Sequence, residues 1–224
     1  ILRRMTNCLG HTLLIVNPAS QNGKGAAAGA HAARVLEQAG VDVDCIATTA
    51  PLHAVQLATD AALQGYQTVI ALGGDGTINE VANGIAGFTN AAMTAIPTGL
   101  GNDFLKNFGA DAEKFNDPEQ LWDGPVTPLD LIDCNGQRCA LTLACNGIDA
   151  RVAADVHKYS VLPLVQGKGA YIASLLVNFF FKGIGSHWTV YLDGVPQTGT
   201  FSLVTVCNGR YYGGGFLPVQ EASM

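Results

Sequence analysis

Two short, almost wholly apolar runs set the frame for this chain: residues 12–16 (TLLIV) and residues 68–72 (TVIAL). A strand with one wet face alternates apolar and polar residues, whereas a run that is apolar throughout belongs to a strand covered on both faces. Helical segments lie between and after these runs. Residues 26–39 are Ala-rich and end at Gly40; residues 52–64 follow Thr48, Thr49 and Pro51 and end at Gly65; residues 77–86 end at Gly87. Glycine just past a periodic segment is a helix stop. Residues 41–47 and 93–97 read as further strands, and a short helix is expected near Asp103. Strands alternating with helices imply a parallel, doubly wound α/β sheet, in which ligands sit beyond the carboxyl ends of the strands.

The pattern changes around residues 117–128, where Pro118, Gly124, Pro125 and Pro128 mark a junction. Beyond it Asn135-Gly136, Asp193-Gly194 and Asn208-Gly209 are each flanked by strand-like runs, the signature of tight hairpins. Residues 150–157 and 169–182 read as helices. The expected organisation is an α/β domain over residues 1–125 and a second, mostly β domain over residues 126–224. That second domain reads as incomplete at its C-terminus, and the start at Ile1 without a methionine points the same way.

Composition narrows the classes. At about 150 residues per domain, 224 residues suit one domain and part of another. Hydrophobic residues make up 48% and charged residues 13%, against a usual charged share of about 25%, which excludes a disordered chain. The formal net charge of −6 argues against nucleic acid as a partner and against steering of the whole molecule to an anionic membrane. Cys8, Cys45, Cys134, Cys139, Cys145 and Cys207 form no CxxC and no zinc spacing with histidine, so reduced, buried thiols of a cytoplasmic protein are expected. Residues 1–10 carry no signal-peptide pattern. The most apolar stretch, residues 170–181, falls short of the ~20 residues of a transmembrane segment and is closed by Lys182. It reads chiefly as a core helix over a sheet; an apolar face flanked by Lys168 and Lys182 would also suit a bilayer surface.

Three segments carry chemistry. Gly73-Gly74-Asp75-Gly76-Thr77 directly follows a buried strand and opens the helix that begins INEVANGI. Glycines let the backbone approach a ligand, and a helix N-terminus favours phosphate. An Asp in such a turn would hold a metal, a water or a hydroxyl, or cap the helix. The turn Pro97-Thr98-Gly99-Leu100-Gly101-Asn102-Asp103-Phe104 ends the next strand and so forms a second wall of the same site. The third is Asn17-Pro18-Ala19-Ser20-Gln21-Asn22-Gly23-Lys24-Gly25, after the first strand. It lacks the GK[ST] ending of a Walker A loop. Residues 23–28 fit GxGxxA, but a dinucleotide fingerprint places its glycines at the strand end, and Gly23 lies seven residues beyond Val16.

Together these segments resemble the diacylglycerol kinase catalytic-domain family of lipid kinases, related in fold to NAD kinases. The likeness extends through NGIDARV from Asn146, GKGAY from Gly167 and NGRYYGGGFLP from Asn208. It implies an α/β nucleotide domain followed by a β-sandwich lipid-substrate domain. It also implies a phosphotransferase that uses ATP and Mg2+ to phosphorylate a lipid hydroxyl, working in the cytoplasm at the periphery of the membrane. Carried over by position, Asn17, Pro18, Ala19, Ser20, Gln21, Thr48, Gly73, Gly74, Asp75, Gly76, Thr77, Ile78 and Asn79 would line ATP. Asp75, Asp103 and Asp130 would form an acidic, water-linked network near the metal. An alternative role for Asp130 is a strand-end carboxylate bonded to a loop. Leu100 stands where the family often has a threonine that contacts the nucleotide. The family's general base and metal-binding segment would lie after Met224.

Diacylglycerol is the expected acceptor, with phosphatidic acid as product. Other alcohols (phosphatidylglycerol, a sphingoid base, NAD) or a nucleotide- or lipid-binding regulator without turnover are the alternatives. The sequence leaves a homodimer open.

Overall fold

The computed structural model describes residues 9–121, 125–160, 168–181 and 183–224. Cys8, Gly124, Gly167 and Lys182, used in the sequence reading, lie outside the described residues. The chain divides into two compact units, residues 1–142 with 207–224, and residues 143–206.

The first unit is built on four parallel strands in the order β2-β1-β3-β4: β1 (Thr12–Val16), β2 (Val43–Ala47), β3 (Thr68–Gly73) and β4 (Ala92–Pro97). Between them run a short α1 (Ser20–Gly23), α2 (Gly25–Gln38), α3 (His53–Gln64) and α4 (Asp75–Ile85). All of β1 and β3 is buried, as their composition requires. Strand periodicity sorts their side chains onto two faces. Leu13, Ile15, Val69 and Ala71 pack with Ala54 and Ala58 of α3 and Ile78 and Val81 of α4. Leu14, Val16, Ile70 and Leu72 pack with Ala32 and Leu36 of α2. Helices thus cover both faces, which is the doubly wound arrangement expected. Helix α4 starts two residues earlier than residue 77 because Gly74, in extended backbone, is its N-cap and Asp75 is already helical.

A four-residue helix, α5 (Asp103–Lys106), follows β4, and two 3₁₀ turns lead to Leu121. The hairpin of β5 (Ile132–Cys134) and β6 (Arg138–Ala140) turns at Asn135-Gly136 as expected, with both residues at positive φ. It belongs to the first unit because α4 binds it. The Asn83 amide imitates a strand neighbour for Cys139, donating to its carbonyl (2.8 Å) and accepting from its N–H (2.7 Å). The contact boundary at residue 142 and the proline-rich junction near residue 126 are therefore different partitions of the chain.

The second unit holds β7 (Leu143–Gly147), α6 (Ile148–Ser160), α7 (Lys168–Phe181), β8 (Ser186–Leu192) and β9 (Val195–Phe201), and most of β10 (Leu203–Cys207). β8 and β9 form the antiparallel hairpin expected at Asp193-Gly194, and β10 pairs with β7. Asn208-Gly209 makes no hairpin: both N–H groups donate to the Thr142 carbonyl (2.8 Å each). Helix α7 departs from the core packing its sequence suggests. Its buried side includes Ser174, which donates to the Val152 carbonyl (2.8 Å), and Asn178, which donates to Asp155 (3.1 Å). Ile172, Leu176, Phe179 and Phe180 are exposed in this chain. No described helix is long and apolar enough to cross a membrane. Five cysteines are described, all as free thiols; Cys45 is exposed and the other four are half-buried.

Candidate functional site

All four strands of the sheet lead into one cleft of about 840 Å³ at their carboxyl ends. β1 contributes Asn17 and the residues through Asn22; β2 contributes Thr48 to Pro51; β3 and α4 contribute Gly74, Gly76, Thr77 and Glu80; β4 contributes Thr98, Gly99 and Leu100. The strand order changes direction between β1 and β3, the place where crossovers leave a crevice in a doubly wound sheet. Side chains fasten its loops together. The Asn17 amide donates to Thr77 Oγ1 (3.0 Å) across that crevice, and its Oδ1 accepts from the Ala19 N–H (3.1 Å). Thr98 donates to Ser20 Oγ (2.8 Å), and Ser20 donates to the Asn17 carbonyl (2.8 Å).

Helix α4 aims its N-terminus at this space. First-turn N–H groups have no intrahelical acceptor and carry partial positive charge, which suits a phosphate. The lining residues include the Glu80 carboxylate and neither Lys nor Arg. The wall therefore offers an anion backbone N–H groups and uncharged side-chain donors such as Gln21, Asn22 and Thr48. Glu80 is occupied in part by the start of α3, accepting from the Ala54 N–H (3.2 Å).

The glycines of the two turns touch. A Cβ built on Gly99 would stand 2.6 Å from the Gly74 Cα, and one on Gly101 would stand 2.7 Å from Asp75 Oδ2. Asn102, at φ 53, closes its own turn by accepting from the Gly99 N–H and donating to the Gly99 carbonyl (3.1 Å each). The Asp75 carboxylate caps the same turn from α4. Oδ2 accepts from the Asn102 N–H (2.7 Å), and Oδ1 accepts from Asp103 (2.6 Å) and Phe104 (3.4 Å).

Most of the residues expected to line a nucleotide lie on the cleft: Asn17, Pro18, Ala19, Ser20, Gln21, Thr48, Gly74, Gly76 and Thr77. Gly73 ends β3, Ile78 is buried in the core, and Asn79 accepts from the Leu141 N–H (3.0 Å). Asp75 and Asp103 come together through the capped turn. The buried Asp103 carboxylate accepts from Lys106 Nζ and from the Gly214 N–H (2.8 Å each). Asp130 is exposed, and its backbone carbonyl accepts from the Asn208 amide (2.6 Å). Among the described residues no hydrogen bond joins its carboxylate to the other two. No group of three His, Cys, Asp or Glu able to hold a metal ion occurs among the described residues. Asp75 and Asp103 each accept protein hydrogen bonds on both carboxylate oxygens. Sequence reasoning did not single out Asn22, Ala50 or Glu80 as lining residues. Glu80 was within reach, since it stands four residues after Gly76, on the same face of α4.

A family model described as the diacylglycerol kinase catalytic domain matches residues 11–134. The chain is 40% identical over 146 residues to a protein of Bacillus subtilis (strain 168) named "Diacylglycerol kinase", a match covering 63% of this chain and 47% of that one. It is 30% identical over 197 residues to a Pseudomonas putida (strain KT2440) protein named "Probable lipid kinase YegS-like", covering 84% and 62%. The chain thus spans about half the length of the curated relatives it matches. Among solved structures, a diacylglycerol kinase of Bacillus anthracis (strain Sterne) shares the fold, with a TM-score of 0.70 at 24% identity, over 95% of this chain and 69% of that one.

Proposed function

The chain belongs to the diacylglycerol kinase catalytic-domain family, and from that premise we propose that it is a lipid kinase. It transfers the γ-phosphate of ATP to the hydroxyl of diacylglycerol or a similar lipid, giving phosphatidic acid or its analogue. The observation that carries this reading is the cleft itself. Four strand ends converge on a helix N-terminus, and two turns are pressed together through Gly74 and Gly99. Phosphoryl transfer asks a protein mainly to position its reactants and to stabilise charge. A wall of backbone N–H groups with Asn17, Ser20 and Thr77 at its edges suits the phosphates of a nucleotide. Its volume lies within the roughly 300–1,000 Å³ usual for small-molecule sites.

In this reading residues 1–125 bind ATP, and residues 126–224 belong to the lipid-substrate side. Magnesium enters as the counter-ion of the nucleotide phosphates. The protein works from the cytoplasm at the membrane surface, where its acceptor resides.

The test is ATP consumption by the full-length protein against diacylglycerol, phosphatidylglycerol and a sphingoid base in mixed micelles. Lipid-dependent consumption, greatest with diacylglycerol, is expected. ATP binding without consumption in the presence of any lipid would instead identify a nucleotide-binding regulator.

A further inference from the structure

The kinase reading draws on the glycine turns of the cleft and leaves one of its walls unexplained. Residues 48–52 join β2 to α3, and Thr48, Thr49, Ala50 and Pro51 line the cleft. This loop carries no ionisable side chain. It enters α3 through Leu52 at φ 66, a left-handed conformation unfavourable for a residue with a Cβ, and Leu52 gives the helix no side-chain cap. A side chain of the helix holds the loop instead. The half-buried His53 turns its ring back so that Nδ1 accepts from the Thr49 N–H (3.1 Å), with Thr49 Oγ1 also 3.1 Å from that nitrogen. The His53 N–H donates to the Ala50 carbonyl (3.2 Å), and the Ala54 N–H donates to Glu80 (3.2 Å).

A backbone N–H can only donate. Nδ1 is therefore the unprotonated nitrogen of a neutral imidazole whose proton is on Nε2. An imidazolium carries a proton on both nitrogens, so its Nδ1–H would face the Thr49 N–H and leave that donor without its acceptor. The start of α3, with its partial positive charge, adds to the cost of a cation there. Helix α3 packs on α4, β1 and β3. The two strands carry no ionisable group, and α3 itself adds only Asp60, which accepts from Gln56 (2.9 Å). On α4, Asp75 is bonded to residues 102–104, and Glu80, bonded at Ala54, is the acidic group that favours a charged ring. We infer that His53 is a positioning residue: the neutral ring fixes residues 48–51 as a wall of the cleft, and uptake of a proton releases them and weakens nucleotide binding. Histidine is the side chain that changes charge between about pH 5 and 8, so the wall is set at the alkaline end of that range and loosened at the acid end. The hold on the loop stands on geometry; its effect on ATP rests on the kinase reading.

Two measurements on the full-length protein, each at about pH 8 and about pH 5, separate the hold from its effect. His53→Asn is the reference, because its carboxamide oxygen can accept from the Thr49 N–H and does not titrate. Hydrogen–deuterium exchange at residues 48–52 reports the hold without nucleotide. Wild type and His53→Asn should agree within about twofold at the higher pH, and wild type should exchange about fivefold faster at the lower, the scale of one lost hydrogen bond. The intrinsic pH dependence of exchange is common to both proteins and cancels. Titration with ATP and magnesium reports the effect: affinity of wild type relative to His53→Asn should fall about fivefold on acidification, the ligand's own protonation cancelling likewise. His53→Ala should show fast exchange and weak binding at both pH values. A thermal melt checks folding; if His53→Asn unfolds, His53→Ala decides, differing from wild type at the higher pH and matching it at the lower. An exchange ratio that does not change with pH overturns the hold. The expected exchange with an unchanged affinity ratio overturns the positioning role. If wild type binds no ATP at either pH, the kinase reading and the positioning role fail together, and exchange alone decides the hold.

Discussion

The carboxylate of Asp75 and the backbone N–H of Asn102 meet at 2.7 Å, joining the glycine turn after β3 to the glycine turn after β4. With the Asp103 N–H on its other oxygen (2.6 Å), Asp75 is the cap of a helix in a different segment. The two turns therefore form one piece of wall.

It follows that replacing Asp75 harms structure and binding together. In Asp75→Asn one oxygen becomes an NH2 facing an N–H donor, and the turn loses a charged acceptor. We expect a stability loss of about 1–3 kcal/mol, the range for leaving a polar group unpaired. ATP affinity should fall as well, because Gly99 and Leu100 lie in the disturbed turn. Denaturant melts and nucleotide titration check this; wild-type stability would show that the caps are dispensable.

The contact of Gly74 with Gly99 makes a second prediction. In the proposed reading Gly74→Asp adds a negative charge to the turn that faces the phosphates, with a Cβ 3.2 Å from the Gly99 Cα. ATP affinity should drop by roughly a hundredfold or more, since an unpaired like charge in a partly desolvated site costs several kcal/mol. The fold should persist with a small shift of the Gly99 turn, because Gly74 is the N-cap of α4 in extended backbone, a position that suits Asp. Calorimetric titration of a folded variant with unchanged affinity would remove this turn from the site.

The Asn83 amide makes a third. Asn83→Ala removes two hydrogen bonds to Cys139. A loss of about 1–3 kcal/mol is expected, with amide exchange rising at β5 and β6 before the central sheet opens. Uniform exchange across both regions would show that the hairpin is held by other contacts.

Far from the cleft, Tyr66 donates to Asp44 (2.6 Å) and stacks on His11 with ring centroids 4.0 Å apart. The hydrogen bond to Asp44, then burial and the charges of Asp44 and Asp42, push its phenol from 10.0 up to about 12. The folded chain thus keeps this proton at pH values where the unfolded chain releases it. The contribution to stability is complete below pH 10.0 and is lost as pH rises toward about 12. Ultraviolet titration should show one late-ionising tyrosine, absent in Tyr66→Phe and shifted down in Asp44→Asn. A titration without that late step contradicts the contact.

Much of the first unit was legible because local signals carry it. Apolar runs announced β1 and β3, glycines announced the helix ends, and three glycine-bearing loops announced the cleft. What stayed hidden depends on partners distant in sequence. Nothing around Asp75 announces that it caps residues 102–104, because an Asp in a glycine turn fits a cap, a metal ligand or a water ligand equally well. Asn79 belongs to the same motif as Gly74, yet one more helical step turns its amide toward Leu141. The hydrogen bonds from Arg210 to Asn107 and from Gly214 to Asp103 join positions about a hundred residues apart, and no periodicity encodes them. Asn208-Gly209 matched a hairpin signal but met the Thr142 carbonyl instead.

The central claim is transfer of phosphate from the cleft to a lipid. Its most direct test follows ATP labelled at the γ-phosphate into diacylglycerol in mixed micelles, with phase separation of the products and Gly74→Asp run in parallel. The account predicts label in the lipid phase as phosphatidic acid with the wild-type protein and none above background with Gly74→Asp. Label that stays in ATP or appears only as inorganic phosphate, with a folded wild-type protein that binds ATP, would contradict it.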